Sequence, residues 1–146
     1  MSTPTRERSF IRACLPHGDG MCLLERVIDW DDTMIECLTR DAAADSHPLR
    51  LAGQLHAVVA AEYAAQATAV HGALRQPDAV RRDGRVAGIR ELVWQQPDIA
   101  DCLPVRVRCR EQMRQPQAIV YEFELVATHT PVVTGQVTVA FPEETS

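Results

Sequence analysis

Residues 57–74 read AVVAAEYAAQATAVHGAL, and the reading of this stretch decides the fold. It has no proline, is rich in alanine and is apolar on nearly every side at helical spacing, so it forms a helix. A helix that is apolar all round belongs in an interior. Yet Glu62 stands in the middle of it, with Gln66 one turn later. Residues four apart point in nearly the same direction, so the two share a face with Val58, Val59, Ala65 and Ala69. The opposite face carries Ala57, Ala60 and Ala64, small enough to let a sheet lie close. A carboxyl in an apolar setting is desolvated, which disfavours its charged form and raises its pKa. That is what a general acid needs near neutral pH, and Gln66 stands where it can hold the acid by a hydrogen bond. The pattern is met equally by a face that is solvated or lies at an oligomer interface, with Glu62 an ordinary surface residue.

The sequence around this helix supplies a sheet. Residues 21–30 read as a strand, Asp31-Asp32 as a turn, and TMIECLTR (33–40) as a returning strand, together a hairpin. VAGIRELVW (86–94) is a strand ended by Pro97. In PVRVRCRE (104–111), Val105, Val107 and Cys109 alternate with Arg106, Arg108 and Arg110. In AIVYEFELVAT (118–128), Ile119, Tyr121, Phe123 and Leu125 alternate with the polar side carrying Glu122 and Glu124. In VVTGQVTVAF (132–141), Val133, Val137, Val139 and Phe141 share one face, with Thr134, Gln136 and Thr138 opposite. Alternation with period two means a sheet with one wet and one dry face. One long helix is available to cover the dry face. The expected architecture is α+β: an antiparallel sheet wrapped around a single central helix, in one domain over 1–146 with tails at about 1–10 and 142–146.

Composition narrows the function classes. With 46% hydrophobic and 24% charged residues the chain is an ordinary globular protein. A net charge of −5 argues against general nucleic-acid binding, although Arg81, Arg82, Arg85 and Arg90 form a local basic run. The five cysteines (Cys14, Cys22, Cys37, Cys102, Cys109) are odd in number and scattered, with no CxxC pair. Neither a zinc site nor a disulfide framework is expected. No cofactor is implied. The first twelve residues lack the apolar centre of a signal peptide. The longest apolar run is interrupted by Glu62, Gln66 and His71, so no membrane span is expected. The reading is a cytoplasmic protein.

A general acid needs a partner base. The histidines are His17, His47, His56, His71 and His129. His47 and His56 precede the helix, where a loop can return them to Glu62. His71 lies half a turn round from Glu62 and, followed by Gly72, reads as a dipole partner or cap neighbour at the helix end. His17 and His129 read as loop and turn residues.

With these residues in view, the chain resembles the hotdog-fold β-hydroxyacyl-acyl-carrier-protein dehydratases, and most closely the type found in aryl polyene and related pigment pathways. LPHGDGMCLLERV (15–27) is similar to the family's N-terminal Leu-Pro-His motif, and EYAAQA (62–67) to the Glu-x-x-Ala-Gln signature of its active helix. HPLRLAGQLH (47–56) occupies the place of the segment that supplies the catalytic histidine. The resemblance implies dehydration of a β-hydroxyacyl thioester on an acyl-carrier protein or coenzyme A. A histidine is base at the α-carbon, Glu62 helps expel the hydroxyl, Gln66 supports Glu62, and backbone N–H groups near Val58 and Val59 polarise the carbonyl. His47 fits by spacing from the carboxyl and His56 by proximity to the helix. The family's glycine after the histidine is absent from His47-Pro48-Leu49-Arg50, and Val58-Val59-Ala60 stands where a Pro-Gly is usual. The resemblance also implies a homodimer or higher oligomer, or a hetero-oligomer with a paralogous hotdog subunit, whose partner chain covers Glu62. The alternatives on the same fold are an acyl thioesterase and a non-catalytic subunit that supports an active paralogue.

Overall fold

The alternating stretches all become strands. A computed structural model describes residues 8–14, 22–40, 49, 54–76 and 84–141; His17 and His47 lie outside the described residues. The strands are β1 (Leu24–Trp30), β2 (Met34–Thr39), β3 (Arg85–Trp94), β4 (Arg106–Gln115), β5 (Ala118–Ala127) and β6 (Thr130–Ala140). They form one six-stranded sheet in the order β1-β2-β4-β5-β6-β3, with every neighbouring pair antiparallel. Asp31 makes the first hairpin turn. Its Oδ1 accepts the Thr33 and Met34 amides at 2.8 and 2.9 Å. These bonds, led by that from Thr33, hold its carboxyl below the usual range.

Register explains which faces meet. Ile35, Cys109, Phe123 and Gly135 are successive partners across β2, β4, β5 and β6, as are Cys37, Val107, Leu125 and Val133. Both rows are buried. Gly135 makes room in the first row. A Cβ there would lie 3.0 Å from Phe123 Cζ and 3.3 Å from Leu92 Cδ1, so its missing side chain is the space the Phe123 ring occupies. On the other face the charges pair across strands. Arg106 and Arg108 donate to Glu36 and Glu124 respectively, each at 3.0 Å. The Arg108–Glu124 pair is partly exposed and worth about 0–1 kcal/mol, whereas Glu36 is buried and is held by Arg106 and, at 3.6 Å, by Arg108.

The central helix α2 runs Ala60–Arg75, entered through a 3₁₀ turn at Ala57–Val59. It crosses the dry face, packing against β1, β2, β4, β5 and β6. Its small residues do what the sequence suggests. Ala57, Ala60, Ala64 and Ala67 are completely buried, and the Cys109 thiol comes within 4.0 Å of the Ala64 carbonyl. Between helix and sheet lie Leu24, Ile35, Val70, Phe123 and Leu125, each worth roughly 1.5–3 kcal/mol on burial. A short helix α1, Arg8–Cys14, packs on β1 and α2. It begins inside the stretch expected to be a tail, because Ile11 and Cys14 find room in the core.

Two expectations about α2 change. The helix continues through Gly72 to Arg75, so His71 lies within the last turns rather than at a cap. It is fully buried, with Nε2 2.8 Å from the Asp31 carbonyl and Nδ1 2.8 Å from the Tyr121 hydroxyl. A carbonyl only accepts, so Nε2 carries the proton and Nδ1 accepts from Tyr121. The helix is also not buried on every side. Val58 and Ala69 are exposed, and Ala61, Glu62 and Ala65 are half-buried. One sheet covers one side of a helix and leaves the other open.

Candidate active site

The start of the central helix is assembled from two segments that are distant in sequence. Residues 54–57 lie antiparallel to residues 97–99, with His56 bridged to Asp98. The Ala57 amide donates to the Pro97 carbonyl at 2.7 Å, and the Ile99 amide to the Leu55 carbonyl at 2.8 Å. Asp98 Oδ1 accepts the Leu55 and Ala100 amides, both at 3.0 Å. This strap fixes the backbone of His56 in an extended conformation before the chain turns into the helix.

His56 then acts as the N-cap of the 3₁₀ turn. Its Nδ1 accepts the Val58 amide at 3.0 Å, and its carbonyl accepts the Val59 amide at 3.0 Å. Serine, threonine, asparagine and aspartate are the usual residues for this task, and a neutral imidazole supplies the same kind of acceptor. The ring stands edge-on to Trp94, with centroids 5.3 Å apart at 78°. His56 is exposed, and Trp94, at the end of β3, is 39% exposed. His56, Val58 and Val59 therefore come together as one capped turn, whose amides at 57, 58 and 59 are all spent on bonds within the chain.

Glu62 lies in the first turn of α2, half-buried, on the open face with Val58, Ala65 and Ala69. Gln66 lies deeper and is almost wholly buried. Its side-chain carbonyl accepts the Leu23 amide at 2.9 Å, so it ties the helix to the start of β1. Val58 is 51% exposed and Val59 half-buried. His129 is exposed in the β5–β6 turn. Leu23, Trp94, Pro97 and Asp98 carry no local signal for these roles in the sequence, because each acts across the fold rather than along the chain.

The cysteines are all thiols. Burial pushes the Cys37 thiol up to about 12 and Cys109 well above its ordinary value. Cys102 is raised by burial and by Asp101 and Asp98. None of these three is an activated nucleophile. Among the described residues no group of three histidine, cysteine or acidic side chains is placed to hold a metal, and no helix is long and apolar enough to cross a membrane.

Solved structures with this architecture are hotdog proteins. The dehydratase heterocomplex ApeI:P from Xenorhabdus doucetiae is similar at 23% identity, with a TM-score of 0.81 over 92% of this chain and 91% of that one. A mutant form of the thioesterase PA1618 from Pseudomonas aeruginosa is similar at 13% identity and TM-score 0.64, over 96% of both chains. AziG of S. sahachiroi matches at 16% identity and TM-score 0.60, over 81% of this chain and 90% of that one. At such identities these likenesses show the fold: an antiparallel hotdog sheet around one helix. No curated protein sequence matches. The ApeP-like family model, described as ApeP dehydratase, matches residues 10–146. That span takes in the whole sheet, the central helix with Glu62 and Gln66, and the segment before it, so the chain belongs to the ApeP-like family and is a hotdog dehydratase.

Proposed function

We propose that the protein eliminates water from a β-hydroxyacyl thioester carried on an acyl-carrier protein. His47 would take the proton from the α-carbon, and Glu62 would give a proton to the β-hydroxyl. The C–O bond breaks, water leaves and the α,β double bond forms, so protons and electrons balance. The observation that carries this reading is the position of Glu62 on the open face of the central helix, in a chain of the ApeP dehydratase family. His47 is preferred as base because the one lone-pair nitrogen of neutral His56 is already engaged by Val58.

The open face needs a cover. Val58 on the helix and Val86, Val93 and Trp94 on β3 are large apolar side chains left exposed, and among the described residues β3 pairs only with β6. A second hotdog subunit would close both, either another copy or a paralogue. The similar ApeI:P structure is described as a heterocomplex, which supports the paralogue. The five thiols suit a reducing cytoplasm.

The test is product analysis with a β-hydroxyacyl-carrier protein, using the protein alone and co-expressed with a paralogous hotdog subunit. An enoyl product, absent with Glu62→Gln, is expected. Release of free acid and carrier thiol would identify a thioesterase instead, and no turnover in either arrangement would leave a binding or supporting role.

A further inference from the structure

The elimination proposed above makes the thioester carbonyl oxygen more negative as the α-proton leaves, and a hydrogen-bond donor must meet it. Backbone N–H groups at the helix start are the expected donors, since that end has unpaired amides and positive dipole. Here those amides are occupied. Ala57 donates to Pro97, Val58 to His56 Nδ1, Val59 to the His56 carbonyl, and Ala60 back to Ala57 and Val58.

The same bonding fixes what His56 offers in their place. An imidazole that accepts at Nδ1 from a backbone N–H carries its proton at Nε2. The imidazolium would set two donors against each other at Val58, so this geometry belongs to the neutral ring. The strap through Asp98 holds the backbone, and the Trp94 ring stands against the imidazole. The ring is thus positioned at the helix start, exposed, with a donor nitrogen and no lone pair to spare.

We infer that His56 polarises the thioester carbonyl by donating from Nε2, relaying the Val58 amide that the turn withholds from substrate. His56 is then an electrophilic catalytic residue and not the base. Neutral imidazoles act on carbonyls in this way in other enzymes. The assignment rests on the dehydratase reading and concerns the half of the reaction that His47 and Glu62 do not perform.

Two substitutions separate the nitrogens. Asparagine places its oxygen near Nδ1 and is itself a favoured N-cap, so His56→Asn keeps the turn and loses the outward donor. Glutamine places its amide near Nε2, so His56→Gln keeps a donor and loses the cap. Thermal melts first confirm that both fold. With a β-hydroxyacyl-carrier protein, His56→Asn should lose about 10²–10³-fold in kcat, the usual effect of removing one such donor, and His56→Gln less than about tenfold, since a donor remains. If both variants fall to the same floor, His56 is the base and the inference is overturned. If His56→Asn matches wild type, His56 is only a cap, which overturns it too.

A second readout does not depend on turnover. The infrared carbonyl stretch of a ¹³C-labelled saturated acyl-carrier thioester should move to lower frequency with wild type and His56→Gln, and stay at its solution value with His56→Asn. If wild type fails to dehydrate the hydroxyacyl substrate, the dehydratase reading falls, and this band still decides the role of His56. An unshifted band with wild type overturns the inference.

Discussion

The Gln66 side-chain carbonyl and the Leu23 amide meet at 2.9 Å, 43 residues apart in sequence and both buried. The bond joins the central helix α2 to the residue just before β1. It gives the glutamine of the Glu-x-x-Ala-Gln motif a structural task whether or not it also steadies Glu62. Removing it strands a buried amide, which costs about 1–3 kcal/mol. Gln66→Ala should therefore lower the urea unfolding free energy by about that amount. An unchanged midpoint would mean that water satisfies Leu23.

The His71–Tyr121 pair predicts a pH dependence of stability. Burial, the largest cause, lowers the pKa of His71 below its ordinary value, against a smaller raising effect from its bond to Asp31. Arg75, Glu111 and Arg114 also act on it. The unfolded chain takes up a proton near about pH 6.5 and the folded chain only lower. Stability from this group is thus present above about pH 6.5 and falls as the pH drops below it, by up to ~1.4 kcal/mol per unit. Unfolding titrations between about pH 5 and 7 should show this slope in wild type and a shallower one in His71→Gln.

Two glycines should respond oppositely to alanine. At Gly72, inside α2, a Cβ meets nothing within 4 Å, so Gly72→Ala should stabilise by ~0.5–1 kcal/mol through helix propensity. At Gly135 the Cβ would lie 3.0 Å from Phe123, tighter than ordinary contact, and because Phe123 is itself buried Gly135→Ala should destabilise by ~1–3 kcal/mol. Paired thermal melts test this, and a loss at Gly72 would show that a partner subunit packs there.

For the proposed chemistry, Glu62→Gln should reduce dehydration by at least about 10²-fold, the lower end for a positioned acid, with little change in melting temperature, because Glu62 is half-buried. His47→Ala should lose activity comparably. Full activity in both variants would remove the acid–base pair.

A charge at the open face should disturb assembly. Val93 is 56% exposed on β3, and Val93→Lys is expected to shift the protein toward monomer in light scattering, with activity falling in step. A monomeric wild type, alone or with a paralogue, would sink the proposal that a second subunit covers Glu62.

Much of this protein was written locally. Period-two alternation through Val105–Cys109, Ile119–Leu125 and Val133–Phe141 fixed which side of each strand is dry, since a strand has only two faces. Ala57, Ala60 and Ala64 marked the side that meets the sheet, and the spacing put Glu62 on the open side. The tertiary structure decided what depends on distant partners. Gln66 turned inward to Leu23. His71 was drawn from a supposed cap into the core by Asp31 and Tyr121. His56 became a cap because Pro97 and Asp98 hold the chain before it. Side-chain periodicity is set by the backbone of one element, whereas a hydrogen-bond partner is set by which elements the fold brings within about 3 Å. The sequence by itself could therefore name the helix, the sheet and the place of Glu62, and only the packed chain could show which nitrogen of His56 is engaged.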